Sequence, residues 1–169
     1  MLLCHSFGTI YAVAQTSYDG LGRVDCTAQR MNSVTFSSLP SSACTLATTG
    51  SLGPDRISKT TYDAAGRVTK IQSAYGTAQQ SDDVTTSYTT NGLVAYVIDA
   101  ENNRTKYSYD GHDRLVKTEY PSTTKGANAA NASDYEQLGY DASGNITSRR
   151  LRDGTSIGYG YDNLGRLVS

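Results

Sequence analysis

Two histidines, His5 and His112, and three cysteines, Cys4, Cys26 and Cys44, are the side chains best suited to nucleophilic or metal chemistry in this chain. Their placement favours neither. The chain has no CxxC and too few histidines to complete the compact ligand set that zinc requires. His112 falls in a turn beside Asp113, with no serine or cysteine set to be activated by it, and is read as an exposed turn residue. The carboxylates are more suggestive, because Asp19, Asp63, Asp110, Asp141 and Asp162 each follow a tyrosine. Calcium loops crowd several oxygen ligands within a few residues. Here single carboxylates stand far apart and most are followed by an arginine, Arg23, Arg67, Arg114 or Arg166. That is turn chemistry and ion pairing. No catalytic residue, metal site or cofactor is expected.

The elements that carry these aspartates are set by an internal repeat. Tyr18-Asp19-Gly20-Leu21-Gly22-Arg23-Val24 returns as Tyr62-Asp63-Ala64-Ala65-Gly66-Arg67-Val68 and as Tyr161-Asp162-Asn163-Leu164-Gly165-Arg166-Leu167. Tyr109-Asp110-Gly111-His112-Asp113-Arg114-Leu115 has Asp in the glycine position, and Tyr140-Asp141-Ala142-Ser143-Gly144-Asn145-Ile146 has Asn in the arginine position. Tyr88-Thr89-Thr90-Asn91-Gly92-Leu93-Val94 is a weaker copy that loses Asp and Arg together. Asp-x-x-Gly reads as a type I turn followed by a left-handed residue, the three-residue hairpin loop with a G1 bulge. In that geometry Asp faces Arg across the hairpin, and Tyr faces the following Val, Leu or Ile. The two pairs then lie on opposite sides of the hairpin.

The tyrosine spacings suggest a basic unit of 21 residues, the interval that separates Tyr88 from Tyr109 and Tyr140 from Tyr161. The longer interval from Tyr18 to Tyr62 reads as two units with a degraded middle copy, and the one from Tyr109 to Tyr140 as one unit with an insertion. A second turn falls between hairpins, at Asp99-Ala100-Glu101-Asn102-Asn103 and at Arg152-Asp153-Gly154-Thr155. The expected fold is therefore all-β, an antiparallel meander of hairpins with very little helix. Residues 1–16 are taken as a lead-in with a strand at 9–13, and 17–169 as the repeat region, with insertions near 27–54 and 121–134. The segment 121–134 is small, polar and aperiodic, as in a flexible surface loop.

As a set these motifs resemble the YD-repeat family, also called RHS repeats, which occurs in bacterial Rhs and wall-associated proteins, in the C component of insecticidal toxin complexes and in the teneurins. The resemblance runs from about Ser17 to Ser169 and rests on Tyr18, Asp19, Gly22, Arg23, Tyr62, Asp63, Gly66, Arg67, Tyr88, Gly92, Tyr109, Asp110, Arg114, Tyr140, Asp141, Gly144, Tyr161, Asp162, Gly165 and Arg166. It implies a β-ribbon spiralling into a hollow shell, a β-solenoid-like wall that encloses a toxin or serves as an extracellular scaffold. The family's self-cleaving aspartic site lies in a cap outside the repeats, so no catalytic residue carries over.

Composition agrees with a wall more than with a pocketed enzyme. Thirteen Tyr stand against two Phe and no Trp, and hydrophobic residues reach only 37%, too lean for a deep dry core. A net charge of −1 gives no field for nucleic acid, and no apolar run is long enough to span a membrane. A bacterial, secreted or surface location follows from the resemblance. Met1–Ala14 lacks the basic start of a signal peptide. In an oxidising setting Cys26 and Cys44 would close a loop worth about 3 kcal/mol of chain entropy; otherwise they are free thiols. The sequons at Asn103, Asn131 and Asn145 matter only on a eukaryotic secretory route. Two alternative readings remain: exposed strand edges would suit a self-assembling extracellular filament, and rows of Tyr beside Asp, Asn and Arg would suit a carbohydrate-binding adhesin. The expected partners are thus other YD repeats, of the same or neighbouring chains, or cell-surface glycans.

Overall fold

The computed structural model of the chain describes residues 2–6 and 9–168, with side chains from residue 12 onward. The side chains of Cys4 and His5 lie outside the described set. Twelve strands form a meander in which spatial order follows sequence order. They are β1 (Leu2–Ser6), β2 (Thr9–Tyr18), β3 (Val24–Arg30), β4 (Arg56–Tyr62), β5 (Val68–Ser73) and β6 (Ser81–Tyr88). They continue as β7 (Val94–Asp99), β8 (Arg104–Tyr109), β9 (Leu115–Pro121), β10 (Ala130–Tyr140), β11 (Ile146–Arg150) and β12 (Ser156–Gly158). The helical content of the described residues is one 3-10 turn, Ser33–Thr35. The all-β expectation holds. The strand expected at 9–13 runs on to Tyr18, and residues 16 and 17 sit together inside it. Two compact units divide the chain, 1–85 and 86–169.

In the first unit the long interval between Tyr18 and Tyr62 contains no degraded hairpin. β3 pairs directly with β4, Cys26 facing Lys59 and Gln29 facing Arg56, and everything from Met31 to Asp55 is one insertion. Thr27–Arg30, expected to belong to the insertion, are strand residues. The insertion folds back onto the sheet and roofs the small core of Cys26, Ala28, Ala43 and Ile57, against which Cys44, Leu46 and Tyr75 pack. A disulfide joins Cys26 in β3 to Cys44 in the insertion.

A buried ion pair organises that roof. Arg30 Nη1 donates to Asp55 Oδ2 at 2.6 Å and to the Thr45 carbonyl at 2.8 Å, while Nη2 reaches the Ser42 carbonyl at 3.0 Å. Arg30 Nε donates to Gln15 Oε1 at 3.0 Å. Asp55 in turn accepts from the backbone N–H of Met31 and of Ala47, each at 2.9 Å. Burial pushes the Asp55 carboxyl up, but the Ala47 and Met31 amides and the Arg30 guanidinium outweigh it and hold it below the usual range. One guanidinium thus ties together β2, β3 and three points of the insertion. Nothing in the repeat motif marks Arg30 or Asp55.

In the second unit the segment expected to be a flexible loop is shorter and is held in place. Pro121 ends β9 and Ala130–Asp134 already belong to β10. The residues between fold over the 99–103 turn: Asn102 Nδ2 donates to the Gly126 carbonyl at 2.7 Å, Gly126 N–H to Asn103 Oδ1 at 3.1 Å and Asn128 N–H to the Asn102 carbonyl at 3.0 Å. Polar side chains and backbone satisfy one another here, so a sequence with no hydrophobic period is still ordered.

Removing one partner of a buried, hydrogen-bonded pair strands the other charge and costs about 3–5 kcal/mol. Asp55→Ala should therefore lower the urea midpoint of the full chain much more than Asp82→Ala, whose ion pair with Lys70 is exposed. Equal losses would contradict the organising role of the Arg30–Asp55 pair.

Candidate functional site

Each copy of the repeat motif closes on itself in the same way. At the first hairpin Asp19 Oδ1 accepts from the backbone N–H of Leu21 at 2.9 Å and of Arg23 at 3.0 Å. Its Oδ2 takes both Arg23 Nε and Nη2 at 2.7 Å. Asp63 with Arg67 and Asp110 with Arg114 repeat the set, and Asp162 takes Arg166 Nε at 2.7 Å. The ladder places Tyr18 opposite Val24, Tyr62 opposite Val68, Tyr109 opposite Leu115 and Tyr140 opposite Ile146, with a register shift at each. The shift is the bulge that the left-handed third loop residue demands. Gly22 and Gly66 adopt φ of 78° and 83° there, and Asp113 takes the same region at 62°.

The degenerate copies keep the part of this network that their residues allow. Asn145 Nδ2 replaces the arginine and donates to Asp141 Oδ2 at 2.9 Å. Thr89 Oγ1 still accepts the Leu93 N–H at 3.1 Å, though no charge pair remains. The turn between hairpins uses the same loop. Asp99 Oδ1 accepts from Glu101 and Asn103 N–H, each at 2.9 Å, with Asn102 left-handed at φ 64°.

What joins one hairpin to the next is a contact that the motif's internal spacing does not reveal. The tyrosine hydroxyl of one copy donates to the carbonyl of the residue after the arginine position in the copy before it. Tyr62 donates to Val24 O at 2.9 Å, Tyr109 to Val94 O at 2.9 Å, Tyr140 to Leu115 O at 2.8 Å and Tyr161 to Ile146 O at 3.0 Å. Those carbonyls need a donor from outside the ladder. The strand pairing toward the next hairpin begins two residues later, at Cys26, Tyr96, Lys117 and Ser148, so no strand amide faces them. The same tyrosine ring carries the preceding arginine, Arg23 over Tyr62 at 4.3 Å and Arg114 over Tyr140 at 4.5 Å. Arg114 Nη1 also reaches the Asp141 carbonyl at 3.3 Å. Carboxylate, guanidinium, ring and carbonyl form a staple between neighbours.

Other tyrosines serve as platforms for cations. Arg104 lies over Tyr96, Arg152 over Tyr120, and both Lys117 and Arg150 over Tyr135. Phenylalanine would offer a ring without the hydroxyl, which explains the excess of Tyr over Phe. His112 donates its backbone N–H to Asp110 Oδ1 and sits exposed in the loop. Asp25, Cys26 and Cys44 gather their ligand atoms at one point, but both sulfurs are spent in the disulfide.

The RHS Repeat family model matches residues 140–169, the stretch from Tyr140 of one staple through the next copy at Tyr161. Over these residues the chain is similar to an RHS repeat. The preceding copies share its loop and staple geometry. No curated protein matches the chain. Solved structures share the fold over nearly its whole length. The crystal structure of TcdB2-TccC3-Cdc42 covers 93% of this chain and 7% of that chain, with 17% identity and a TM-score of 0.63. The Photorhabdus luminescens Tc holotoxin pore covers 92% of this chain and 6% of that one, with 20% identity and a TM-score of 0.59. The chain thus spans only about 7% of the first of these, and the likeness is one of fold.

Two tests address the staple. Restoring the weak copy with Thr89→Asp and Leu93→Arg together should stabilise the chain more than the sum of the single changes, by about 0.5–1 kcal/mol. The new guanidinium would meet both the restored carboxylate and the Tyr109 ring, so strict additivity in urea unfolding would contradict the arrangement. The second test is pH. Arg114 and the loop amides hold the Asp110 carboxyl down at about 2. A carboxyl lowered by folding stabilises the fold fully above its unfolded value of about 4 and progressively less as pH falls toward the folded value. The melting temperature should therefore fall between about pH 4 and pH 2, and Asp110→Asn should flatten that slope.

Proposed function

We propose that the chain is a structural repeat module, one stretch of wall in a larger secreted bacterial RHS-repeat shell, without enzymatic activity of its own. The observation that carries this reading is how the motif residues spend their chemistry. Asp19, Asp63, Asp110 and Asp162 are bound by their own arginines, and Tyr62, Tyr109, Tyr140 and Tyr161 by the hairpin before. Groups that a catalytic site would leave poised toward a substrate are here committed to neighbours. Such contacts add stability copy by copy, as in other repeat architectures.

The likeness in fold to chains of the TcdB2-TccC3 complexes and of the Tc holotoxin pore supports a toxin-complex setting, and with it a location outside the cell. Its partners would then be further RHS repeats. The glycan-binding reading finds less support, since Tyr62, Tyr96, Tyr120, Tyr135 and Tyr140, the rings a sugar would stack on, already carry cations.

The test is the coding region on either side together with negative-stain microscopy of its full product. Tandem Tyr-Asp hairpins flanking this segment and a hollow particle are expected. A solid particle, or flanking domains of an unrelated fold, would overturn the wall reading. Turnover of a substrate that is lost on mutating a described residue would overturn the non-enzymatic part.

A further inference from the structure

The disulfide of the first unit lies among groups that bind metal ions when its sulfurs are free. Cys26 Sγ, Cys44 Sγ and a carboxylate oxygen of Asp25 all fall within 4.8 Å of one another. Cys26 is fully buried, and Cys44, in the 42–45 turn of the insertion, is half-buried. None of the three belongs to the repeat motif, and the turn and staple chemistry makes no use of them.

The carboxylate is aimed at the sulfurs and is unspent on that side. Lys59 Nζ holds Asp25 Oδ1 at 2.7 Å, which leaves Oδ2 turned onto Cys44 Sγ at 3.1 Å. A disulfide sulfur carries no proton, so this contact satisfies neither atom. Among the described residues no N–H or O–H donates to Oδ2. An oriented anion beside two sulfurs gains a partner only when the sulfurs become thiols, or thiolates sharing a cation with it.

We propose that the reduced chain holds a zinc ion on Cys26, Cys44 and Asp25, in place of the disulfide. Zinc–sulfur bonds of about 2.3 Å at tetrahedral angles put two thiolates about 3.8 Å apart. That separation fits within the span the three ligand atoms already occupy. Two thiolates select a thiophilic cation, and a single carboxylate falls far short of the oxygen shell of calcium. Three protein ligands leave the fourth zinc position to water. Lys59 then keeps the orienting role it has now, fixing the carboxylate from outside the metal shell. The Arg30–Asp55 pair ties the insertion down independently, so Cys44 stays beside Cys26 when the sulfur–sulfur bond opens. The ion would do for the reduced chain what the disulfide does for the oxidised one, closing the insertion over Ala28, Ala43 and Ile57. The cytosol, where every chain is made, keeps thiols reduced, so the site serves the chain before it meets an oxidant.

The inference is independent of the wall reading, which stands whatever the metal experiment returns. The full chain is reduced with a water-soluble phosphine, which supplies two electrons and takes an oxygen from water to become its oxide. The two protons of that water go to the sulfurs, giving two thiols, and zinc binding then releases both protons. Cobalt(II) is the first probe. The reduced chain should bind one ion with thiolate-to-cobalt charge-transfer absorption and tetrahedral visible bands, both lost on adding one equivalent of zinc. The oxidised chain should show neither. Asp25→Asn, whose fold is checked by circular dichroism with the disulfide intact, should bind zinc about tenfold or more weakly once reduced. Cys44→Ala should bind more weakly still, and Cys4→Ala as tightly as the native chain. Absence of charge-transfer absorption from the reduced native chain would overturn the proposal. So would native affinity in Asp25→Asn or a loss in Cys4→Ala, because the ligands would then be other than the three named.

Discussion

A hydroxyl donated to a carbonyl that the sheet cannot reach is the contact on which this architecture depends. The left-handed loop residue and its bulge give each hairpin a tight end, but the bulge also takes the first residue of the returning strand out of ladder register. Val24, Val94, Leu115 and Ile146 therefore present carbonyls before the pairing toward the next strand begins. An unpaired carbonyl at a half-buried position costs free energy comparable to a lost hydrogen bond. Tyrosine is long enough to bring an O–H to that point from the end of the next hairpin, and its face then lies under the arginine that the turn aspartate has already fixed. The aspartate thus acts twice. It satisfies the loop amides, and it orients the guanidinium on which the next ring rests.

This explains why the chain holds together with so little hydrophobic core. The fully buried apolar side chains of the described residues are few, Val13, Cys26, Ala28, Ala43 and Ile57, and they gather beneath the first unit's insertion or beside it. Elsewhere half-buried tyrosines, valines and the aliphatic stems of arginine cover one another. Long polar side chains contribute apolar area while their charged ends are paired. Such a surface tolerates water on both faces, as a sheet that must be covered on neither face requires.

The local half of the design was legible in the sequence and the other half was not. The Asp19–Arg23 separation is the same in every copy, so turn chemistry alone leads to the hydrogen bonds of the loop and to a left-handed Asp113. The staple partners have no fixed spacing. Tyr109 reaches a carbonyl 15 residues back, Tyr140 one 25 back and Tyr62 one 38 back, because insertions of different length intervene. A period search sees the tyrosines and misses what they touch. The Arg30–Asp55 pair was invisible for a related reason: both residues belong to a segment without repeats, and only the folded insertion brings them together. The 99–103 turn was located, yet its kinship to the repeat loop was obscured by Asn102 and Asn103 standing in the glycine and arginine positions.

The meander separates two kinds of connection, and this separation lets the staple survive variation. In an antiparallel meander alternate turns lie at the same end of the strands. Within the first unit the motif loops at 19–23 and 63–67 share one end, and the insertion at 31–55 leaves from the other. Within the second unit the loops at 89–93, 110–114, 141–145 and 162–166 share one end, and the 122–129 segment leaves from the other. Tyr62 and the carbonyl it binds are both at the motif end, so the β3–β4 connection can hold a whole subdomain without moving either. An insertion into the motif loop would instead separate aspartate from arginine and uncouple the ring from its cation. Geometry therefore divides the chain into an end that must keep its residues and an end free to acquire loops, disulfides or buried ion pairs, as the first unit has done with Cys26–Cys44 and Arg30–Asp55.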